Sequence, residues 1–292
     1  MDLPVVVGVD GSEPSLQTVD WAVDEAARHG VPLRLIYASL WERYAGTSPL
    51  SGTARPSEEI MAEQIIASGV ERARRRNADV KVSGEVVPDD AVSALLQAGH
   101  EASVLVTGSR GRGELTELLL GPVSLTVAAR AGVCPVIVVR GSEPNRQGDF
   151  QRVVVGVGDS PERLAAVRFA FREAEARGCP LHAVRAWRFP AHEHVEHPFA
   201  ADDAERVHEQ QASTELTDAL REALEEHPRV QVHAQTIEGS AHRALLHASA
   251  EADLLVVGAL RRHGDFGLQL GRVAHAALHH AHCPVAVVPQ QA

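Results

Sequence analysis

The chain opens with a nearly unbroken apolar run, Pro4–Asp10, the pattern of a parallel strand covered on both faces. Gly11–Pro14 offers a turn, with Ser12 as N-cap and Pro14 in the first helical turn. Leu16, Val19, Val23, Ala26 and Ala27 then recur at helical spacing until Gly30 stops the helix. Pro32–Leu40 predicts a second strand, and the polar stretch Trp41–Ser57, with Gly46, Pro49, Gly52 and Pro56, a surface loop. Helix Glu58–Arg76, strand Val80–Val87, helix Asp89–Ala102 and strand Ser103–Thr107 follow. A glycine-rich stretch, Gly108–Ser124, leads into a helix ending at Ala131, and Pro135–Arg140 is the last strand of the unit. Strands alternating with helices imply an α/β domain, an open parallel five-stranded sheet with helices on both faces. Ligands of such sheets sit at the carboxyl ends of the strands, where the strand order reverses.

The pattern then repeats. Val7-Gly8-Val9 returns as Val155-Gly156-Val157, Pro32-Leu33 as Pro180-Leu181, Gly108 as Gly258, Gly121 as Gly271 and Cys134-Pro135 as Cys283-Pro284. One register holds for all of them, which marks a tandem duplication of a whole domain rather than a short-period solenoid. The second copy predicts strands Arg152–Gly158, Pro180–Arg188, Val230–Ile237, Asp253–Val257 and Pro284–Val288. Its helices are predicted over Pro161–Arg177, Ala201–Glu226, Ser240–Glu251 and Leu268–Ala281. Gly141–Phe150 is polar and turn-rich, so the chain divides into domain 1 over residues 1–142, a linker over 143–150 and domain 2 over 151–292. Both last strands, VIVVR and VAVVP, are flat and apolar, an edge that invites strand pairing.

The chemistry concentrates at Gly108–Ser124, GSRGRGELTELLLGPVS. Gly108, Gly111 and Gly113 predict a backbone free to take positive φ, with no Cβ between its amides and an approaching anion. Successive N–H groups, with Ser109 among them, can form a nest, and the helix start adds partial positive charge. Arg110 and Arg112 supply forked donors suited to phosphate oxygens.

The spacing Gly108-x-x-Gly111, nine residues, then Gly121 resembles the nucleotide-binding signature of the universal stress protein family, G-x2-G-x9-G-[S/T]. The resemblance implies a Rossmann-like fold, similar to the adenine-nucleotide α-hydrolases, in which this loop wraps ATP phosphates. It also implies that the two last strands pair, so that one tandem chain is a pseudo-dimer, and that two chains associate further as a homodimer. Carried over residue by residue, the contacts are Gly108, Ser109, Arg110, Gly111, Arg112, Gly113, Gly121, Pro122, Val123 and Ser124 for the phosphates. Asp10, with the backbone of Gly8 and Val9, lies by the nucleoside, and Ala38 meets the adenine edge. The other reading of Asp10 is an Asx-turn or cap at the strand end. Pro122 departs from the family pattern, removing a hydroxyl and a backbone N–H. Ser124, two residues on, is placed to turn its hydroxyl to the phosphates instead. The cofactor expected is ATP or a related adenine nucleotide, with Mg2+ as its counter-ion.

The second copy departs at each of these points. Gly158 stands where Asp10 does, with Asp159 moved one place along. Arg261 replaces the second loop glycine and Arg272 the final Ser/Thr, while Arg261, Arg262 and Arg272 remain able to hold an anion. The first copy is the expected nucleotide site.

Composition bounds the alternatives. At 292 residues and 45% apolar content the chain supports two packed cores. Its formal net charge is −11, and its one dense basic run, Arg72–Arg76, sits at a helix end where cations complement the macrodipole. No nucleic-acid partner is expected. The start, MDLPVVVGVDGS, enters a strand at once, and no run approaches the ~18 apolar residues of a membrane span. Cys134, Cys179 and Cys283 each precede a proline at the mouth of an apolar run and read as small buried residues, so a cytoplasmic setting is expected. A single lysine, Lys81, rules out a Walker A loop. His192, His194 and His197 lie in a loop, and His275 and His279 one helical turn apart, without the glutamate of an HExxH site. With no G-x-S-x-G elbow and no paired Cys and His, no catalytic constellation is expected. The sequence therefore points to a stress-response, nucleotide-responsive regulatory module with a protein partner, not an enzyme, any hydrolysis being very slow. A nucleotide-free dimerisation scaffold is the alternative. An adenylyl-transferring enzyme is disfavoured, because Gly11-Ser12-Glu13-Pro14 stands where such enzymes carry Ser-Gly-Gly-x-Asp-Ser.

Overall fold

A computed structural model describes residues 2–40, 57–111, 120–158, 164–188, 198–260 and 270–290, with side chains from 206 in the helix that begins at Pro198. The predicted loop 41–56 lies outside them. The chain divides into two compact units, Met1–Val139 and Arg140–Ala292.

In the first unit the strands are β1 Val5–Gly8, β2 Leu33–Ala38, β3 Val82–Val87, β4 Val104–Gly108 and β5 Val136–Val139. The helices are α1 Glu13–His29, α2 Ser57–Arg76, α3 Ala91–Ala98, extended by a 3-10 turn Gly99–Glu101, and α4 Pro122–Arg130. The strand order is β3-β2-β1-β4-β5, every neighbouring pair parallel. The chain steps outward from β1 through β2 to β3, then returns to β4 beside β1. That reversal opens a crevice at the carboxyl ends of β1 and β4.

Burial explains the strand composition. Val5, Val6, Val7, Leu105 and Val106 are almost wholly buried in the two central strands, whereas β3, at the edge, exposes Ser83, Gly84 and Glu85. Helix α1 starts as its sequence dictates: Ser12 Oγ accepts the Ser15 amide, Pro14 occupies the first turn, and Gly30 stops it in the left-handed region at φ 64°. Helix α2 buries Ala62, Ile65, Gly69 and Ala73, a single stripe. A Cβ on Gly69 would come 2.7 Å from Leu35, so this glycine sets how closely the helix approaches the sheet.

The basic run on α2 does more than complement the helix dipole. Arg72 donates to Asp20 at 2.7 Å and to Glu13 at 3.2 Å, and Arg76 to Asp24 at 2.7 Å. Its charge is answered by acids of α1. No helix among the described residues is long and apolar enough to cross a membrane.

Boundaries shift where local chemistry overrides apolar pattern. Strand β3 begins at Val82 because Asn77 Oδ1 accepts the Asp79 amide and turns the chain. Helix α3 begins at Ala91 because Asp90, not Asp89, caps it, its Oδ1 accepting the Val92 and Ser93 amides.

The second unit repeats the plan with β6 Val153–Gly156, β7 Leu181–Trp187, β8 Val232–Glu238, β9 Leu254–Leu260 and β10 Val285–Gln290, in the order β8-β7-β6-β9-β10. Its helices are α5 Glu143–Gln147, α6 Leu164–Arg177, α7 Pro198–Glu226, α8 Ala241–Ser249 and α9 Arg272–His280. The stretch read as a linker is ordered as α5 and belongs to this unit. Buried Asn145 donates to the carbonyls of Ala252 at 2.8 Å and Ala250 at 3.2 Å, and Asp253 accepts the amides of Phe150 and Arg152. The polar residues that suggested a solvated connector instead satisfy backbone groups at a helix end.

Asn145→Ala leaves those carbonyls without their donor, and the second unit should lose about 1–3 kcal/mol, read as a lower urea midpoint at unchanged slope.

Candidate functional site

The crevice of the first unit holds a cavity of about 400 Å3, within the range of small-molecule pockets. Eleven of the fourteen residues expected at a ligand line it: Gly8, Val9, Asp10 and Ala38 on one side; Gly108, Arg110 and Gly111 on another; Gly121, Pro122, Val123 and Ser124 at the start of α4. Ser109 stands behind them as a closure, its amide donating to Val139 and its carbonyl accepting from Gly121. Arg112 and Gly113 lie outside the described residues.

Asp10 lies two residues past the end of β1. Its Oδ1 accepts the Ser12 amide at 2.9 Å and the Ser12 hydroxyl at 2.6 Å, so the Asx-turn is formed and the residue lines the cavity as well. Gly11 completes the turn at φ 81°.

The described loop glycines depart from expectation in their φ, and Gly113 lies outside the described residues. Gly108, Gly111 and Gly121 do not take positive φ, and Gly121 sits at φ −62°. What they supply is room. A Cβ on Gly111 would lie 2.5 Å from Asp10 Oδ2, and one on Gly108 would lie 2.8 Å from Thr18 Oγ1 and 3.2 Å from the Arg110 carbonyl. Gly8 is closed over by Leu95, whose methyls would stand 3.1 Å from an added Cβ.

Two donors expected at the phosphate end are spent internally. The Ser124 hydroxyl donates to the Gly108 carbonyl at 2.6 Å, tying α4 to β4, and so does not turn to an anion. The Gly121 amide donates to Ser109 at 3.0 Å, and Pro122 has none. The first-turn amides of Val123 and Ser124, which an α-helix leaves without intrahelical partners, remain at this end beside Arg110.

Sequence reasoning missed Ser15, Ile36, Ala91, Leu95 and Thr107 in the lining. Ile36 shares a strand face with Ala38, and Ala91 and Leu95 lie one turn apart on α3, signals of spacing that were present. Thr107 is buried to 3% exposure, and its hydroxyl has no hydrogen-bond partner among the described residues.

Elsewhere the residues set aside as non-functional behave as packing. All three cysteines are free and buried, and burial raises the Cys134 thiol to about 11 and the Cys283 thiol further. Neither offers a thiolate at neutral pH. His275 and His279 on α9 stand with ring centroids 4.5 Å apart, and burial, then His275, His280 and Arg140, lowers the His279 pKa. His192, His194 and His197 lie outside the described residues.

Among the described residues the second unit departs from this arrangement. At Gly158 there is no carboxylate; the Gly158 carbonyl accepts from Arg185 at 2.6 Å. The Gln290 side chain lies over Gly258, in the space a Cβ would need. Asp159, Arg261 and Arg262 fall outside the described residues.

These features are those of an α/β protein with a crevice at the strand-order reversal, built on one plan in both units. The universal stress protein family model matches residues 3–140 and 149–289, and the chain belongs to that family. It is 36% identical to a universal stress protein of Mycobacterium tuberculosis strain H37Rv over 98% of this chain and 97% of that one. A Mycolicibacterium smegmatis universal stress protein is 29% identical over 97% of this chain and 96% of its own. The crystal structure of a universal stress protein from Archaeoglobus fulgidus shares the fold with a TM-score of 0.68 at 18% identity, covering all of both chains.

Thr107→Val replaces the unpaired hydroxyl with a methyl of the same shape. Stability of the first unit should stay level or rise by up to about 1 kcal/mol, read in a thermal or urea melt.

Proposed function

We propose that the first unit binds an adenine nucleotide, ATP or a close relative, and that the chain works as a nucleotide-responsive regulatory module in the stress response. The observation that carries this reading is the polarity of the cavity. Ile36, Ala38, Ala91 and Leu95 supply an apolar wall suited to a flat base. Asp10, fixed by its turn, lies against Gly111, and Arg110 with the first-turn amides of α4 supplies donors for an anion. Mg2+ would accompany a triphosphate as counter-ion, held by the phosphates themselves. Occupancy would change the surface around 108–124, which a protein partner or a second copy of the chain reads. The protein is proposed not to be an enzyme: no His, Cys or Lys lines this cavity among the described residues, and the Asp10 carboxylate is engaged in its turn with Ser12.

A second reading, a scaffold without nucleotide, draws on the spent donors at Gly121 and Ser124 and on Pro122. The two readings part experimentally. Under the first, protein purified and denatured releases about one adenine nucleotide per chain, or the empty protein binds one in a calorimetric titration; absence of both retires it. Gly111→Arg places a Cβ 2.5 Å from Asp10 Oδ2 and a long side chain beyond it, and should abolish binding while leaving the self-association measured by sedimentation unchanged. Pro122→Ser returns an amide and a hydroxyl to the start of α4. ATP affinity should rise at least about tenfold, as one regained hydrogen bond to a charged group would give.

A further inference from the structure

The second unit also has a cavity, about 860 Å3, at the carboxyl ends of its strands, and its chemistry is the reverse of the first. Among its described lining residues are Arg185, Arg188 and Arg272, together with His208 and His242, against one carboxylate, Glu215. That carboxylate is already answered within the wall: one oxygen pairs with Arg185 and the other accepts from Gln211 at 2.9 Å. Arg188 and Arg272 are exposed, and neither makes an ion pair among the described residues; Arg188 donates from Nε to the Gly239 carbonyl at 3.1 Å, so it is held in the wall, and the described lining carries a net positive charge.

The backbone adds to that charge. Both α8 and α9 are nine-residue helices, and their first turns line the cavity through Ala241 and His242, and through Arg272 and Val273. In the first unit the corresponding helix α3 is capped by the Asp90 carboxylate. Here Ser240 holds that place, its hydroxyl lies 2.6 Å from His242 Nδ1, and it makes no cap bond to the helix. At α9, Gly271 offers no side chain and Arg272 replaces the proline of α4. Aspartate has given way to serine at one helix start, and proline to arginine at the other. Two uncapped helix starts then bring partial positive charge to the same space as the two arginines. Trp187, also in the wall, offers an apolar ring for an organic part.

We infer that this cavity is a second ligand site, for a small phosphorylated organic molecule held by Arg188 and Arg272 and by the starts of α8 and α9. Recognition here runs through side-chain guanidinium groups, not a glycine loop, and does not depend on what occupies the first unit.

The probe is inorganic pyrophosphate, titrated calorimetrically into the full chain carrying Gly111→Arg, which blocks the first cavity, in about 150 mM salt to screen loose surface attraction. One saturable event per chain is expected. In the same background, Arg188→Gln with Arg272→Gln should weaken it at least about tenfold with an unchanged melting temperature. Arg188→Lys with Arg272→Lys should retain most of the affinity. If Gly111→Arg misfolds, the arginine pair is tested in the otherwise unaltered chain. Heat without saturation, or equal affinity in the glutamine pair, overturns the inference. Failure of the nucleotide reading shows separately, as absence of ATP or AMP binding to the unsubstituted chain.

Discussion

The first unit's cavity exists because three glycines let packed groups come closer than a side chain would allow. Leu95 closes over Gly8, Thr18 abuts Gly108, and the Asp10 carboxylate abuts Gly111. Each contact joins two elements that lie far apart in the sequence: β1 with α3, β4 with α1, and the loop after β4 with the turn after β1. A Cβ at any of the three would push these elements apart by a few tenths of an ångström or more. The crevice would then lose either its apolar wall or its glycine loop. The parallel sheet supplies the opening, and the glycines set its walls.

Duplication preserved the first of these and not the second. Gly156 still meets Leu245 as Gly8 meets Leu95, so the central contact of the fold survives in both units. What changed lies around the mouth, where a residue can alter without disturbing the core: Gly158 for Asp10, Ser240 for Asp90 and Arg272 for Pro122. Substitutions at strand and helix ends exchange charge at little cost to packing, since the valines and leucines of the central strands carry the stability. One scaffold therefore presents an apolar cavity with an acidic residue at its centre and, in its second copy, a polar and basic one.

The fold was legible because central parallel strands are buried on both faces and read as apolar runs, while Ser12, Gly30 and Pro14 mark helix ends by mechanisms local to the chain. The site was legible in its turn residues for the same reason. Three things were not. The direction of the Ser124 hydroxyl depends on a carbonyl sixteen positions away in sequence. The reason for Gly108 and Gly111 lies in Thr18 and Asp10, partners that only the folded sheet brings near. The helical character of 143–147 rests on Asn145 reaching carbonyls more than a hundred residues away, a contact that local composition does not encode.

Charge placement also orients whatever enters the first cavity. Asp10 is held in place by Ser12 before any ligand arrives, so its carboxylate is a fixed feature of the wall and not a group recruited on binding. It lies against Gly111, in a wall that also holds Ile36, Leu95 and the start of α4. An anionic group placed beside it would be repelled, whereas the hydroxyls of a sugar could donate to it. The acceptable arrangement puts an uncharged ring against Ile36 and Leu95, hydroxyls at Asp10, and negative charge beyond Gly111, toward Arg110 and the amides of Val123 and Ser124. The proposed nucleotide would meet those demands in one direction, and a ligand lacking either the apolar or the anionic end would leave part of the wall unanswered.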